Sequence, residues 1–117
     1  MFSDPQSVTV NGAAKSMPRV ENDGKKSVYQ MNDETFKLII SHQPTGSDRV
    51  RSMVRIDQRA VVADPLTSVN DYETLTYYVV VDRPSVGFTS AQLGYLVAGL
   101  NTWLDSTAVG KLFGQES

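Results

Sequence analysis

RVRSMVRIDQR, residues 49–59, alternates with a period of two. Val50, Ser52, Val54, Ile56 and Gln58 point one way, and Arg49, Arg51, Met53, Arg55, Asp57 and Arg59 point the other. That is the pattern of a strand with one buried and one wet face. The wet face carries four of the chain's six arginines. Guanidinium groups spaced along an open sheet face offer a polyanion a regular platform. The competing reading is a solvated face whose arginines pair with neighbouring carboxylates.

On the N-terminal side, Pro44-Thr45-Gly46-Ser47 reads as a hairpin loop, and residues 36–43 as the strand before it. Phe36, Leu38, Ile40 and His42 form one face of that strand, and Lys37, Ile39, Ser41 and Gln43 the other. Both faces hold apolar residues, so alternation alone leaves its phase open. Residues 26–32 read as a further strand, with Val28, Gln30 and Asn32 opposite Tyr29 and Met31, and Asp33-Glu34 turns the chain. Ser7-Val8-Thr9-Val10 followed by Asn11-Gly12 is a strong hairpin signal, because both turn residues tolerate positive φ. The return strand is expected over residues 13–20, an edge strand because of Pro18, before the turn cluster Glu21-Asn22-Asp23-Gly24.

On the C-terminal side, the arginine strand can continue through Ala60, Val61 and Val62. The loop that follows contains Asp64, Pro65, Leu66, Thr67, Ser68, Val69 and Asn70. Residues 72–82 form the last strand, with Leu75, Tyr77, Val79 and Val81 as a bulky apolar face and Tyr72, Thr74, Thr76, Tyr78 and Val80 opposite. Arg83-Pro84 ends it. The period then becomes helical. Thr89 with Gln92 resembles a capping box, and Leu93, Leu96, Val97, Leu100, Trp103 and Leu104 make one stripe. Ser106 is placed to cap a second short helix carrying Val109, Leu112 and Phe113, ended by Gly114. Strands followed by helices, with no βαβ alternation, define an α+β class: an N-terminal hairpin, an antiparallel sheet of about five strands and two C-terminal helices.

Composition narrows the function. The 117 residues suit one domain. The absence of cysteine excludes disulfides and thiolate metal sites. His42, the only histidine, cannot build a metal cluster alone. No bilayer-length apolar run and no signal-peptide pattern is seen, so no membrane partner is expected. At a net charge of −2, any affinity for nucleic acid must come from local clustering of cations. No nucleophile–base constellation and no phosphate-binding glycine loop occurs, so the expectation is a non-enzyme without cofactor or metal.

The element order poses a covering problem. A helix is about 10 Å wide, whereas five strands span about 20 Å or more. One helical stripe leaves apolar sheet bare, and bare patches of that size mark interfaces. The economical answer is a two-fold dimer in which each chain's helices cover the partner's sheet, leaving the arginine face open.

In this order the chain resembles the coat proteins of single-stranded RNA bacteriophages, the levivirus family. The resemblance spans roughly residues 7–113. It rests on SVTVNG as the first hairpin, FKLIISHQP and RVRSMVRIDQ as the central pair, DYETLTYYVVV as the last strand, and the two terminal helices. It implies a single coat-protein domain over residues 1–117, with a hairpin in 1–24, sheet in 25–84 and helices in 88–114. It implies an interlocked dimer with a continuous sheet, in which Leu93, Leu96, Val97, Leu100, Trp103 and Leu104 form the interface. Dimers would close into an icosahedral shell in the bacterial cytoplasm, with the 64–70 loop between dimers, although that loop is shorter than in well-known members. The inward sheet face would bind single-stranded genomic RNA, and in well-known members it also grips a hairpin and represses replicase translation. By strand phase the resemblance carries RNA contacts onto Lys37, Ser41, Arg51, Arg55, Asp57, Tyr72 and Thr74. Arg49, Met53 and Thr76 share that face. Ile39 and Met53 stand where relatives have small polar residues that pocket an adenine. On the residues alone, two other readings stay open: a nucleic-acid-binding dimer that forms no shell, and an α+β dimer that binds a small anionic ligand.

Overall fold

The computed structural model describes residues 2–46, 48–63, 66 and 70–116. Residues 1–83 form one compact unit and residues 84–117 a second.

The first unit begins with β1 (Gln6–Val10) and β2 (Ala13–Met17), a hairpin with its own two-stranded sheet. Val10 pairs with Ala13 across the two-residue turn. Asn11 and Gly12 both take positive φ, 52° and 79°, which is what the right-handed twist of the strands demands of so short a turn. The expected return strand over residues 13–20 is instead two strands. Pro18 has no N–H to donate, the ladder breaks there, and β3 (Arg19–Asn22) joins a different sheet. Glu21 and Asn22 therefore belong to a strand and not to a turn.

The second sheet has the order β3-β4-β5-β6-β7. Its members are β3, β4 (Lys26–Gln30), β5 (Phe36–Thr45), β6 (Arg49–Ala63) and β7 (Asn70–Pro84). Pairing is antiparallel through β3–β4, β4–β5 and β5–β6. The β5–β6 register settles the phase that alternation left open. Leu38 lies opposite Ile56 and Ile40 opposite Val54, while Lys37 lies opposite Asp57 and Ile39 opposite Arg55. Paired residues share a face, so one face is apolar and the other carries the arginines.

The apolar face has its core where the hairpin lies over it. Met17, Tyr29, Phe36, Leu38 and Ile40 form the buried cluster, with Val8, Val10, Met31 and Ile56 packed against it. Tyr29 is fully buried, and its hydroxyl accepts from Arg19 Nη2 at 3.2 Å, so burial costs it no hydrogen bond. The same guanidinium donates to the Phe2 carbonyl at 2.6 Å, and Asp4 Oδ1 accepts from Arg19 N at 2.9 Å. His42 lies on this face, its Nδ1 2.8 Å from the Ser52 hydroxyl across the strand pair, as a hydrogen-bonded strand residue.

Beyond the hairpin the apolar face is bare. Leu75 is 69% exposed, and Val54, Tyr77 and Val79 are also exposed.

The second unit holds α1 (Ser90–Trp103) and α2 (Ser106–Phe113). The capping box at the start of α1 is complete: Gln92 N donates to Thr89 Oγ1 at 3.2 Å, and Thr89 N donates to Gln92 Oε1 at 2.9 Å. Thr89→Ala should lower stability by about 1 kcal/mol, read from urea unfolding at fixed protein concentration. The cap of α2 is Asp105, one residue before the expected Ser106; its carboxylate accepts from Ala108 N at 2.9 Å. No residue of either helix is buried in the single chain. Leu96 is 74% and Trp103 62% exposed. A Cβ added at Gly94 or Gly99 would meet nothing within 4 Å, so neither glycine serves a close approach among the described residues.

Among the described residues, no helix is long and apolar enough to cross a membrane, and no group of three or more His, Cys, Asp or Glu side chains could hold a metal ion.

Candidate nucleic-acid interface

The wet face is built by register. Along β5 it presents Lys37, Ile39, Ser41 and Gln43, and opposite them on β6 Asp57, Arg55, Met53 and Arg51; Thr45 and Arg49 close the row. On β4, Gln30, Val28 and Lys26 extend the same rows. Contacts from β6 to β7 run antiparallel. The Arg59 guanidinium lies 3.9 Å from the Tyr72 ring centroid, Thr76 Oγ1 donates to Asp57 Oδ1 at 2.9 Å, and Arg49 Nε donates to Asp82 Oδ1 at 2.9 Å. Tyr72, Thr76 and Asp82 therefore lie on the arginine face, and Thr74 shares their alternation. Every strand residue with an expected RNA contact thus falls on one face. Of the loop, Leu66 is exposed and Asn70 begins β7, while Asp64, Pro65, Thr67, Ser68 and Val69 lie outside the described residues.

Charges on this face are more balanced than the arginine count suggests. Arg49 pairs with Asp82, Arg55 Nε with Asp57 Oδ1 at 2.8 Å, and Arg59 Nη1 with Glu34 Oε2 at 3.4 Å. The exposed Arg49–Asp82 and Arg59–Glu34 pairs contribute about 0–1 kcal/mol each, while Arg55–Asp57 is partly buried; their main effect is to hold the guanidinium groups in place. Arg51 and Lys37 have no carboxylate partner among the described residues. With Lys26 on β4, which also lacks one, they are the cations on this face most available to a phosphate. Three of the four arginines therefore follow the solvated-face reading in part, which alternation could not show, since their partners come from β7 and from the 33–35 turn as well as from β6 itself.

That turn is locally determined. Asp33 Oδ1 accepts from Thr35 Oγ1 at 2.7 Å and from Thr35 N at 3.1 Å. These bonds, the hydroxyl's first, hold the Asp33 carboxyl below its ordinary range. Their stabilisation is present above the unfolded-state pKa and is lost as pH falls through the lowered folded value. The turn carries Glu34, φ 63°, to Arg59.

A cleft of about 210 Å³ opens at this end of the face, lined by Gln30, Glu34, Thr35, Lys37, Asp57, Arg59 and Thr74. Gln30, Glu34, Thr35 and Arg59 were not among the expected contacts. Arg59 and Gln30 had the right strand phase, but only the register across four strands brings them together. A larger cleft of about 530 Å³ lies at the other face beside His42 and Ile40.

An antiparallel sheet followed by two C-terminal helices is the fold of solved bacteriophage coat proteins. The model of the phage phiCb5 coat protein family matches residues 3–84, and the chain belongs to that family. It is a structural coat protein of a phage. No curated protein matches its sequence. Among solved structures, the virus-like particle of bacteriophage AVE019 is similar at 14% identity, over 95% of this chain and 93% of the other, with a TM-score of 0.77. The virus-like particle of Beihai levi-like virus 21 is similar at 10% identity, over 100% and 98%, with a TM-score of 0.74. An unassembled bacteriophage coat protein, described as an RNA-binding dimer, is similar at 13% identity, over 97% and 95%, with a TM-score of 0.57. At these identities the likeness is one of fold.

Proposed function

We propose that this coat protein forms interlocked two-fold dimers that close into an icosahedral shell and bind single-stranded genomic RNA on the arginine face. The observation that carries the reading is the contrast between the two faces of the β5–β7 platform. One face is apolar and bare beyond the hairpin; the other is polar and carries Arg51 and Lys37 without carboxylate partners among the described residues. An apolar surface of that kind needs a cover, and the exposed α1 stripe of a second copy has the matching chemistry. With one face covered, the basic face remains for the polyanion. Electron microscopy of purified protein should show closed particles, and the particle fraction should contain nuclease-protected RNA. Empty particles, or RNA recovered only outside them, would remove the RNA half of the proposal.

The 64–70 loop fits contacts between dimers, because Leu66 within it is 93% exposed. Deleting three residues within it should leave dimers intact on gel filtration while altering or abolishing particles. Unchanged particles would make the loop passive.

Repression of translation through an RNA hairpin would require base contacts on the same face. Tyr72 is the stacking candidate, since stacking on an aromatic is worth about 1–3 kcal/mol per base. Tyr72→Ala should weaken a preferred hairpin by that amount and a scrambled RNA by less, in filter binding of dimers. Equal losses would assign Tyr72 no part in specificity.

A further inference from the structure

We infer that the cleft at the Lys37–Asp57 end of the face receives one unpaired nucleobase and selects guanine. The inference rests on the RNA-face reading above and adds a base preference to it.

Its size suits a single planar group: about 210 Å³, below the roughly 300–1,000 Å³ of pockets for drug-sized ligands. Its chemistry is asymmetric. Lys37 and Asp57 are direct cross-strand neighbours, which places their Cβ atoms about 4.5–5.5 Å apart. They nevertheless form no ion pair. Asp57 Oδ1 is taken by Arg55 Nε and by Thr76 Oγ1 instead. The Lys37 ammonium is thus left as a donor beside a carboxylate whose second oxygen still has two acceptor sites. The Asp57 side chain is only 13% exposed, so a ligand donor there gains more than it would at a fully exposed carboxylate.

Guanine matches this arrangement on both counts. N1–H and the N2 amino group are adjacent donors on its Watson–Crick edge, and both can converge on Oδ2 as a bifurcated pair. O6 beside them accepts from an ammonium, the pairing lysine makes with guanine in direct readout. Adenine and cytosine offer a single amino group next to a ring acceptor, and uracil a single N–H between two carbonyls. Each would turn a lone pair toward the carboxylate. The Arg59 guanidinium also lines the cleft, steadied by Tyr72 at 3.9 Å and by Glu34, and such planes stack on bases.

The test uses the full-length dimer and stem-loop RNAs whose loop is all uridine except for one position, carrying guanine, adenine, cytosine or inosine in turn. Guanine at one loop position should bind at least about fivefold tighter than the other natural bases, the lower end of what a two-bond base contact discriminates. Inosine lacks the N2 amino group and should lose most of that gain on wild-type protein, where no variant has to fold. Asp57→Asn should remove the preference, so that the guanine and all-uridine RNAs bind within about twofold of each other. Guanine and inosine binding within about twofold at every position would overturn the inference, as would a guanine preference that survives Asp57→Asn. Arg51→Ala run in parallel separates the two levels. If it weakens the all-uridine RNA and no guanine preference exists, only the base selection falls. If it leaves that affinity unchanged, RNA does not lie on this face, and both fall.

Discussion

Trp103→Ala is expected to abolish dimer and shell together. Trp103 ends the apolar stripe of α1 and is 62% exposed in the single chain, as are Leu96 and Leu100 to similar degrees. An indole left in water in one copy gains only when a second copy covers it. Removing a large buried aromatic costs about 3–5 kcal/mol, and a two-fold dimer suffers the loss in each protomer. Total stability of a small protein is typically about 5–15 kcal/mol, so the loss is large on that scale. In an obligate dimer, stability cannot be separated from association. Light scattering after gel filtration should find unfolded or aggregated material without dimers, and electron microscopy no particles. A well-folded soluble monomer, from this variant or from wild type at micromolar concentration, would overturn the interlocked arrangement.

Combining Arg51→Ala with Arg55→Ala should weaken binding to every RNA and flatten its salt dependence. Each phosphate no longer neutralised by an arginine should reduce the slope of log affinity against log salt by about 0.7–0.9, and a dimer carries each arginine twice. The ion pairs order the two single variants. Arg55 already shares its charge with Asp57, whereas Arg51 has no carboxylate partner among the described residues. Arg51→Ala should therefore account for the larger part. Titrations of a hairpin and a scrambled RNA at several salt concentrations read both quantities. Wild-type affinity and slope in the double variant would move the RNA off this face, even if shells still form.

Features that depend on neighbours a few residues apart were legible in the sequence. The alternation of residues 49–59 carries β6 and its two faces, because successive side chains of a strand point to opposite sides whatever the strand pairs with. Asn11-Gly12 carries the first turn, and Thr89 with Gln92 the start of α1, since both are sets of local hydrogen bonds and dihedral angles. The apolar stripe of α1 and the shortage of cover for the sheet follow from period and width alone. Only the tertiary structure decided which residues meet across strands. Residues 13–20 read as one strand, yet Pro18 divides them between two sheets. The phase of β5 stayed open until its register placed Phe36, Leu38 and Ile40 under the hairpin. Asp82, Asp57 and Glu34 became the partners of three arginines, and Gln30 and Arg59 came to one cleft with Lys37. Local periodicity sets where a side chain points. The pairing register, fixed by burial of the apolar face across many strands at once, sets what it points at.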